Sequence, residues 1–414
     1  MPSSWSLLRV KDIFKSYDFK RIPLSGQERE RMKNPTYDYY GASGVIDKVD
    51  NYLFDGTYIL IGEDGANLLT RSKPLAFIAS GKFWVNNHAH ILKPKMGFHL
   101  SYYTYLLESL DYTIWVSGSA QPKLTQENLN NVWLYVPELE EQTAIAEYLD
   151  TKTQAIDKKV SLLKKKIGYY QELRKSLINE TVTKGLNKNA ELQTNKLGFA
   201  TPKNWLRYRL KDLGALYSGL SGKSGDDFNQ EDNPDNKGFI PFTNIANNTY
   251  LKRDHLGTVV VYEGEKQNRV RKGDIFFLMS SEGYEDIGKS AALAEDIEET
   301  YLNSFCKGYR VNPRKTNPYF LNYLMLSDYY RQLLIVEGKG FTRINLKMEK
   351  VNDFLVYIPD TLSAQEEIVK FLDAKLDTIA KIITNIQTQI TTLKALRKTL
   401  INDVVTGKIK VSHE

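Results

Sequence analysis

The chain has 414 residues, 42% hydrophobic and 26% charged, with 56 basic against 50 acidic side chains and a formal net charge of +6. That is room for two or three domains with sizeable cores, and it excludes a wholly disordered or fibrous chain. A single cysteine, Cys306, excludes intramolecular disulfides and cysteine-clustered zinc. No apolar run approaches the ~18 residues of a membrane span. Met1-Pro-Ser-Ser-Trp5 lacks a basic-then-apolar leader pattern, so a cytoplasmic, reduced protein is the expectation. The mild basic excess and 26 tyrosines allow a nucleic-acid partner without requiring one.

In chain order, residues 1–136 hold short β-rich runs (Tyr58–Ile61, Phe83–Val85) and turn signals at Gly41-Ala-Ser-Gly44 and Asp64-Gly65. They also hold a predicted helix near Leu100–Ser109. Residues 137–186 read as one long helix, and the polar stretch 187–204 as a linker. Residues 205–357 repeat the mixed pattern, with strands near Thr258–Tyr262 and Asp274–Met279, a turn at Asn233-Pro-Asp-Asn236, and a helix near Pro318–Leu326. A second long helix over 358–408 precedes a tail, 409–414. The fold class is α+β: two mixed globular domains, each followed by a long helix.

The chain repeats itself. Trp5, Arg9, Lys11 and Asp12 match Trp205, Arg209, Lys211 and Asp212 at an offset of 200; Asp55–Ile61 resembles Lys272–Leu278 at 217; Trp133–Pro137 resembles Leu355–Pro359 at 222. Gln142–Thr183 then aligns without gaps to Gln365–Thr406 at 223. Within that block, Leu149, Ile156, Leu163, Tyr170 and Leu177 recur every seven residues, as do Leu372, Ile379, Ile386, Leu393 and Leu400. Val160 and Ile167, and Leu376, Ile383 and Ile390, complete the two seams. Pro137 and Pro359 precede the helices, acidic residues (Glu138, Glu140, Glu141; Glu366, Glu367) are expected in the first turns, and Gly185 and Gly407 are expected C-caps. A helix of ~42 residues runs ~60 Å at ~1.5 Å per residue, and a single seam on it needs a partner. The favoured arrangement is an intramolecular coiled coil; packing of each helix on its own domain is the alternative.

The order globular segment, Val136–Asp150, long helix, then the same again resembles the type I restriction-modification specificity subunits. Ile61–Asn67, Trp84–His90 and Gly118–Leu124 look like target-recognition sequence of that family. The resemblance spans essentially the whole chain. It implies two recognition domains, each contacting half of a bipartite DNA target, and an antiparallel helical spacer with pseudo-twofold symmetry. It also implies docking of two methyltransferase subunits that carry S-adenosylmethionine, with motor-nuclease subunits adding ATP-driven cleavage and no catalytic site in the chain itself. The second copy departs from the first: Ser363-Ala-Gln365 stands against Glu141-Gln142, and nothing closely matches Asn86–His90. The two domains are therefore expected to read different sequences, giving an asymmetric target.

Base-reading candidates in the first domain are Ser119, Gln121 and Lys123, backed by Asn86, Asn87 and His88. In the second they are Lys339, Thr342, Arg343 and Asn345, aligned with the Gln121 loop at an offset of 222. Lys223, Arg269, Arg271 and Lys272 are phosphate candidates. The cluster Lys158, Lys159 and Lys164–Lys166 reads first as a solvated helix flank, with DNA proximity as the alternative. Enzyme-like motifs are weak. Asn34-Pro-Thr-Tyr37 lacks the second proline of amino-methyltransferases, and Tyr217 occupies the first glycine position of a phosphate loop ending in Gly219–Ser224. His88 and His90, two apart, are expected on one strand face, and no metal is assigned to them. Glu63-Asp64 and Asp226-Asp227 read as turn residues. A fused methyltransferase or nuclease, and an adaptor binding only proteins, are the competing readings.

Overall fold

The computed structural model describes residues 5–118, 121–230, 232–340 and 342–411. The chain divides into two compact units, Met1–Lys164 with Ile386–Glu414, and Lys165–Asn385.

In the first unit a six-stranded sheet runs in the order Phe14–Ser16, Ala89–Pro94, Phe54–Gly62, Ala76–Val85, Tyr37–Gly41 and Gly44–Val49. Pairing is antiparallel except between Tyr37–Gly41 and Ala76–Val85. Side chains alternate across it. Ile59, Ile61 and Leu92 face a core with Tyr102, Tyr103, Leu106 and Leu107 of the helix Leu100–Ser109. Phe54, Tyr58, Leu60, Phe83 and Ile91 form a smaller aromatic cluster. A two-stranded ribbon, Ser6–Arg9 against Trp133–Val136, leads into the first long helix, Leu139–Lys184.

The second unit has a five-stranded sheet in the order Gly214–Ser218, Cys306–Val311, Ile275–Leu278, Ser290–Leu293 and Tyr250–Leu251. A three-stranded sheet contains Gly257–Val260, Asn236–Ile240 and Thr300–Leu302. Ile275 and Phe277 face the helix Pro318–Leu326, and Phe276 and Leu278 face a core with Ile240, Leu302 and the buried Cys306. The ribbon Leu206–Arg209 with Leu355–Ile358 precedes the second long helix, Leu362–Val405. The polar stretch 187–204 is not featureless: it folds into a hairpin, Leu192–Thr194 against Ala200–Pro202.

Both long helices form where the heptads place them. All fifteen seam residues, from Leu149 to Leu177 and from Leu372 to Leu400, are buried or half-buried. The helices are antiparallel. In the first unit Ile145 and Leu149 share a core with Ile401, Val404 and Val405, while Asp157 pairs with Arg397 at 3.2 Å. In the second unit Ile178 and Val182 share a core with Ile368, Leu372 and Leu376. Gly185 and Gly407 end the helices at φ of 76° and 70°, the left-handed conformation of a C-cap. The acidic first turn holds for Glu140 and Glu141 only. The second helix begins at Leu362, capped by the Thr361 hydroxyl, so Glu366 and Glu367 lie beyond its first turn.

The same joint fastens each helix to its domain. The buried carboxamide of Gln142 accepts from the His99 amide at 2.8 Å and donates to the Pro137 carbonyl at 2.9 Å. Gln365 accepts from the Asn317 amide (2.8 Å) and the Thr316 hydroxyl (2.9 Å) and donates to Pro359 (3.1 Å). One turn or two further on, the Tyr105 hydroxyl donates to Asp150 and the Tyr323 hydroxyl to Asp373. These pairs coincide with the gapless offset of 223. Over the central strand the sequence match needs correcting by one residue. Leu92 lies opposite Ile59, and its counterpart Tyr309 lies opposite Ile275, an offset of 216 rather than 217. A one-residue slip would turn every side chain to the wrong face.

Candidate nucleic-acid interface

Two equivalent turns carry the base-reading candidates. In the first unit Val116–Ser117 pairs with Lys123–Leu124 around the turn that contains Gln121. In the second, Lys339 and Asn345 exchange amide-to-carbonyl bonds of 3.0 and 2.9 Å around the turn that contains Thr342 and Arg343. Each turn is anchored alike: the Leu124 amide donates to the Glu63 carbonyl (2.7 Å), and the Leu346 amide to the Met279 carbonyl (2.8 Å). The Gln121, Lys123, Lys339, Thr342, Arg343 and Asn345 side chains are exposed. Arg343 lies 4.9 Å over the half-exposed ring of Phe305, a cation held against an aromatic platform. Ser119 lies outside the described residues.

Several candidates are placed differently from expectation. Asn86 is only 5% exposed; its carboxamide oxygen accepts from the His88 amide at 2.8 Å, so it shapes the turn rather than facing a ligand. Asn87 and His88 remain exposed beside the Gln121 turn, with the His88 ring 2.8 Å from Asp64. His88 and His90 do not share a strand face. The strand begins at Ala89, leaving His88 on a turn, while His90 is fully buried. Lys223 is placed differently from a free phosphate contact: its side chain is 6% exposed, paired with Glu265 at 2.7 Å and packed over Tyr262. Gly219–Ser224 thus makes no phosphate cradle, and Tyr217, at the first glycine position, donates to Asp274. Arg269 and Lys272 are exposed but already paired with Glu299 and Asp296. Arg271 and Lys272 also lie at the opposite end of the strand Ile275–Leu278 from the Arg343 turn, so the structure does not gather them with it. The lysines 158, 159 and 164–166 are solvent-exposed. Asp227 accepts from Ser224, a turn as read from sequence; Glu63 does not behave so, being buried and ion-paired.

Beneath the first turn lies a charged network that sequence spacing gave no means of finding. Asp18, Arg21, Glu63, His90 and Lys123 come from segments 18 to 123 residues into the chain. Arg21 bonds Glu63 and donates to the Ala89 carbonyl at 3.0 Å; Lys123 pairs with Glu63 at 3.1 Å. Burial opposes ionisation of Asp18, yet the bonds from His90 and the Ile91 amide, with Arg21, outweigh it and hold its carboxyl below the usual range. Glu63 is held low in the same way, by Arg21, His90 and Lys123 against its burial. Asp18, Glu63 and His90 are the one grouping among the described residues spaced to hold a metal ion. They fit an internal ion network better, since the cations of Arg21 and Lys123 already occupy the carboxylates. In the second unit, Arg331 braces the chain behind the Arg343 turn by donating to the Ile287 and Glu285 carbonyls. Burial lowers its pKa to about 10.

The family model for the type I restriction modification DNA specificity domain matches residues 2–167 and again 202–392. The chain is 27% identical over 354 residues to the type I restriction enzyme specificity subunit S.HindORF215P of Haemophilus influenzae, covering 84% of this chain and 81% of that one. In fold it resembles a chain from a structure reported for complex assembly and conformational transition of the type I R-M system (TM-score 0.68, 14% identity, 99% of both chains). It also resembles the HsdS subunit from Thermoanaerobacter tengcongensis (TM-score 0.52, 14% identity, 99% and 98%). No helix among the described residues is long and apolar enough to cross a membrane. Matched in both of its halves, the chain belongs to the type I restriction-modification DNA specificity family.

Proposed function

We propose that the chain reads an asymmetric, bipartite DNA target, one half with residues 1–136 and the other with residues 205–357. Helices 137–186 and 358–408 serve as spacer and assembly surface, 187–204 joins the halves, and 409–414 is a tail. The observation that carries this is the contrast between joints and turns. The Gln142/Gln365 and Asp150/Asp373 fastenings are alike, whereas the turns of the two units differ, presenting Gln121 and Lys123 in one and Arg343 and Asn345 in the other. Bidentate Arg suits guanine and Gln or Asn suits adenine, so unlike turns read unlike half-sites. Asn87 and His88 in the first unit, and Lys339 and Thr342 in the second, are the flanking contacts.

Two copies of one methyltransferase subunit dock on the helices. Leu173 and Leu396 are 50% and 53% exposed at equivalent positions, each followed by Arg-Lys (Arg174-Lys175, Arg397-Lys398). An apolar side chain kept exposed twice, beside the same basic pair, suits a partner that binds twice. S-adenosylmethionine resides on that partner, and ATP and Mg on restriction and translocase subunits, all in the cytoplasm. The test is adenine methylation by the chain alone and with its methyltransferase, mapped by long-read sequencing. The expected result is no methylation alone and a bipartite motif together; methylation by the isolated chain overturns the reading.

A further inference from the structure

The network under the Gln121 turn does more than neutralise itself. His90 is fully buried, and both ring nitrogens are engaged: Nε2 lies 2.8 Å from the Leu124 carbonyl and Nδ1 2.6 Å from Asp18 Oδ2. A carbonyl only accepts, so Nε2 donates to it, while Nδ1 faces the Asp18 carboxylate. The ring thereby bridges Asp18 to the backbone of the residue after Lys123. Asp18 Oδ1 accepts from the Ile91 amide at 2.8 Å, which fixes the other end of the link. Two buried carboxylates, Asp18 and Glu63, face the cations Arg21 and the half-exposed Lys123, with the His90 ring between them. If Lys123 swings out to a base or phosphate, Arg21 and His90 still partner both carboxylates.

The second unit provides the comparison. Its register sets Leu216 opposite Tyr309 and Ser218 opposite Lys307, as Ser16 is opposite Leu92 in the first, so Ser218 and Lys307 occupy the places of Asp18 and His90. There the Lys307 ammonium donates to the Ser218 hydroxyl at 3.0 Å. That pair joins the two strands with different chemistry but, among the described residues, carries no bond onward to the Arg343 turn.

We propose that His90 is a positioning residue for base discrimination in the first unit: its link from Asp18 to Leu124 holds the Gln121–Lys123 turn in reading geometry and frees Lys123 to leave Glu63. This rests on the DNA-reading function proposed above. The test uses the complex with its methyltransferase and compares methylation rates on duplexes carrying single-base changes in one half-site or the other. His90→Gln, which lacks the ring whose two nitrogens span both partners, should lose about tenfold of the discrimination at one half-site only, the scale of a single base contact. The other half-site and binding to non-target DNA should be unchanged. The double variant Asp18→Ser with His90→Lys, which installs the second unit's strand pair without the bond to Leu124, should lose discrimination as His90→Gln does. Unchanged discrimination in His90→Gln, equal loss at both half-sites, or retained discrimination in the double variant would each overturn the proposal. Absence of any bipartite motif with the unaltered chain would instead refute the DNA-reading function itself, so the two failures are distinguishable.

Discussion

Replacing Gln142 or Gln365 by methionine keeps side-chain volume and removes the carboxamide that fastens each long helix to its domain. Both residues are 1% exposed, so water does not take over the broken bonds. Gln142→Met strands two backbone groups, the His99 amide and the Pro137 carbonyl. At ~1–3 kcal/mol per buried group left without a partner, and with the His99 amide only part-buried, the cost is ~2–4 kcal/mol. Gln365→Met strands three groups, the Thr316 hydroxyl among them, for ~3–5 kcal/mol. Urea unfolding read by circular dichroism and tryptophan fluorescence measures both. Trp5, Trp84, Trp115 and Trp133 report on the first unit and Trp205 on the second. The expected order is Gln365→Met below Gln142→Met below the unaltered chain, with the larger shift at Trp205 for Gln365→Met. Variants within ~0.5 kcal/mol of the parent at unchanged slope would refute the idea that these carboxamides carry the joint.

Further outcomes follow from the same structure. Gly185→Ala and Gly407→Ala, at φ of 76° and 70°, should each cost ~1 kcal/mol in thermal melting, and unchanged melting would contradict the C-cap assignment. Lys223→Ala should leave DNA affinity and its salt slope unaltered, because Glu265 already holds that ammonium; a slope reduced by about one would return Lys223 to the phosphate contacts. Lys339→Ala, by contrast, should lower the slope by about one. One heptad inserted at matching places in both helices should lengthen the preferred gap between half-sites. An unchanged gap would show that partner subunits or DNA bending set it.

Features that depend on local spacing were legible in the sequence. The heptads placed both long helices, and Gly185 and Gly407 marked their ends, because helix periodicity and C-cap geometry are written within a few residues. The Gln121 and Arg343 turns were matched across the two copies for the same reason. Features that depend on distant partners were not legible. Asn86 and Lys223 have side chains suited to DNA, but Asn86 is claimed by its own turn and Lys223 by Glu265, forty-two residues away. His90 differs from His88 only in standing one residue inside a strand whose start the sequence left undefined. The central strand was misaligned by one position because its glycine match outweighed the facing of its apolar side chains, which only the pairing register fixes.

The duplicated glutamine joint also bears on how such a chain diversifies. Its bonds run to backbone groups at Pro137, His99, Pro359 and Asn317, with the Thr316 hydroxyl the one side-chain partner, so it asks little of the turns beyond. A segment exchanged by recombination between the two strands of its ribbon brings a new reading surface to an unaltered helix. The reading surface can drift, or be traded between genes, while the two long helices are left as they were.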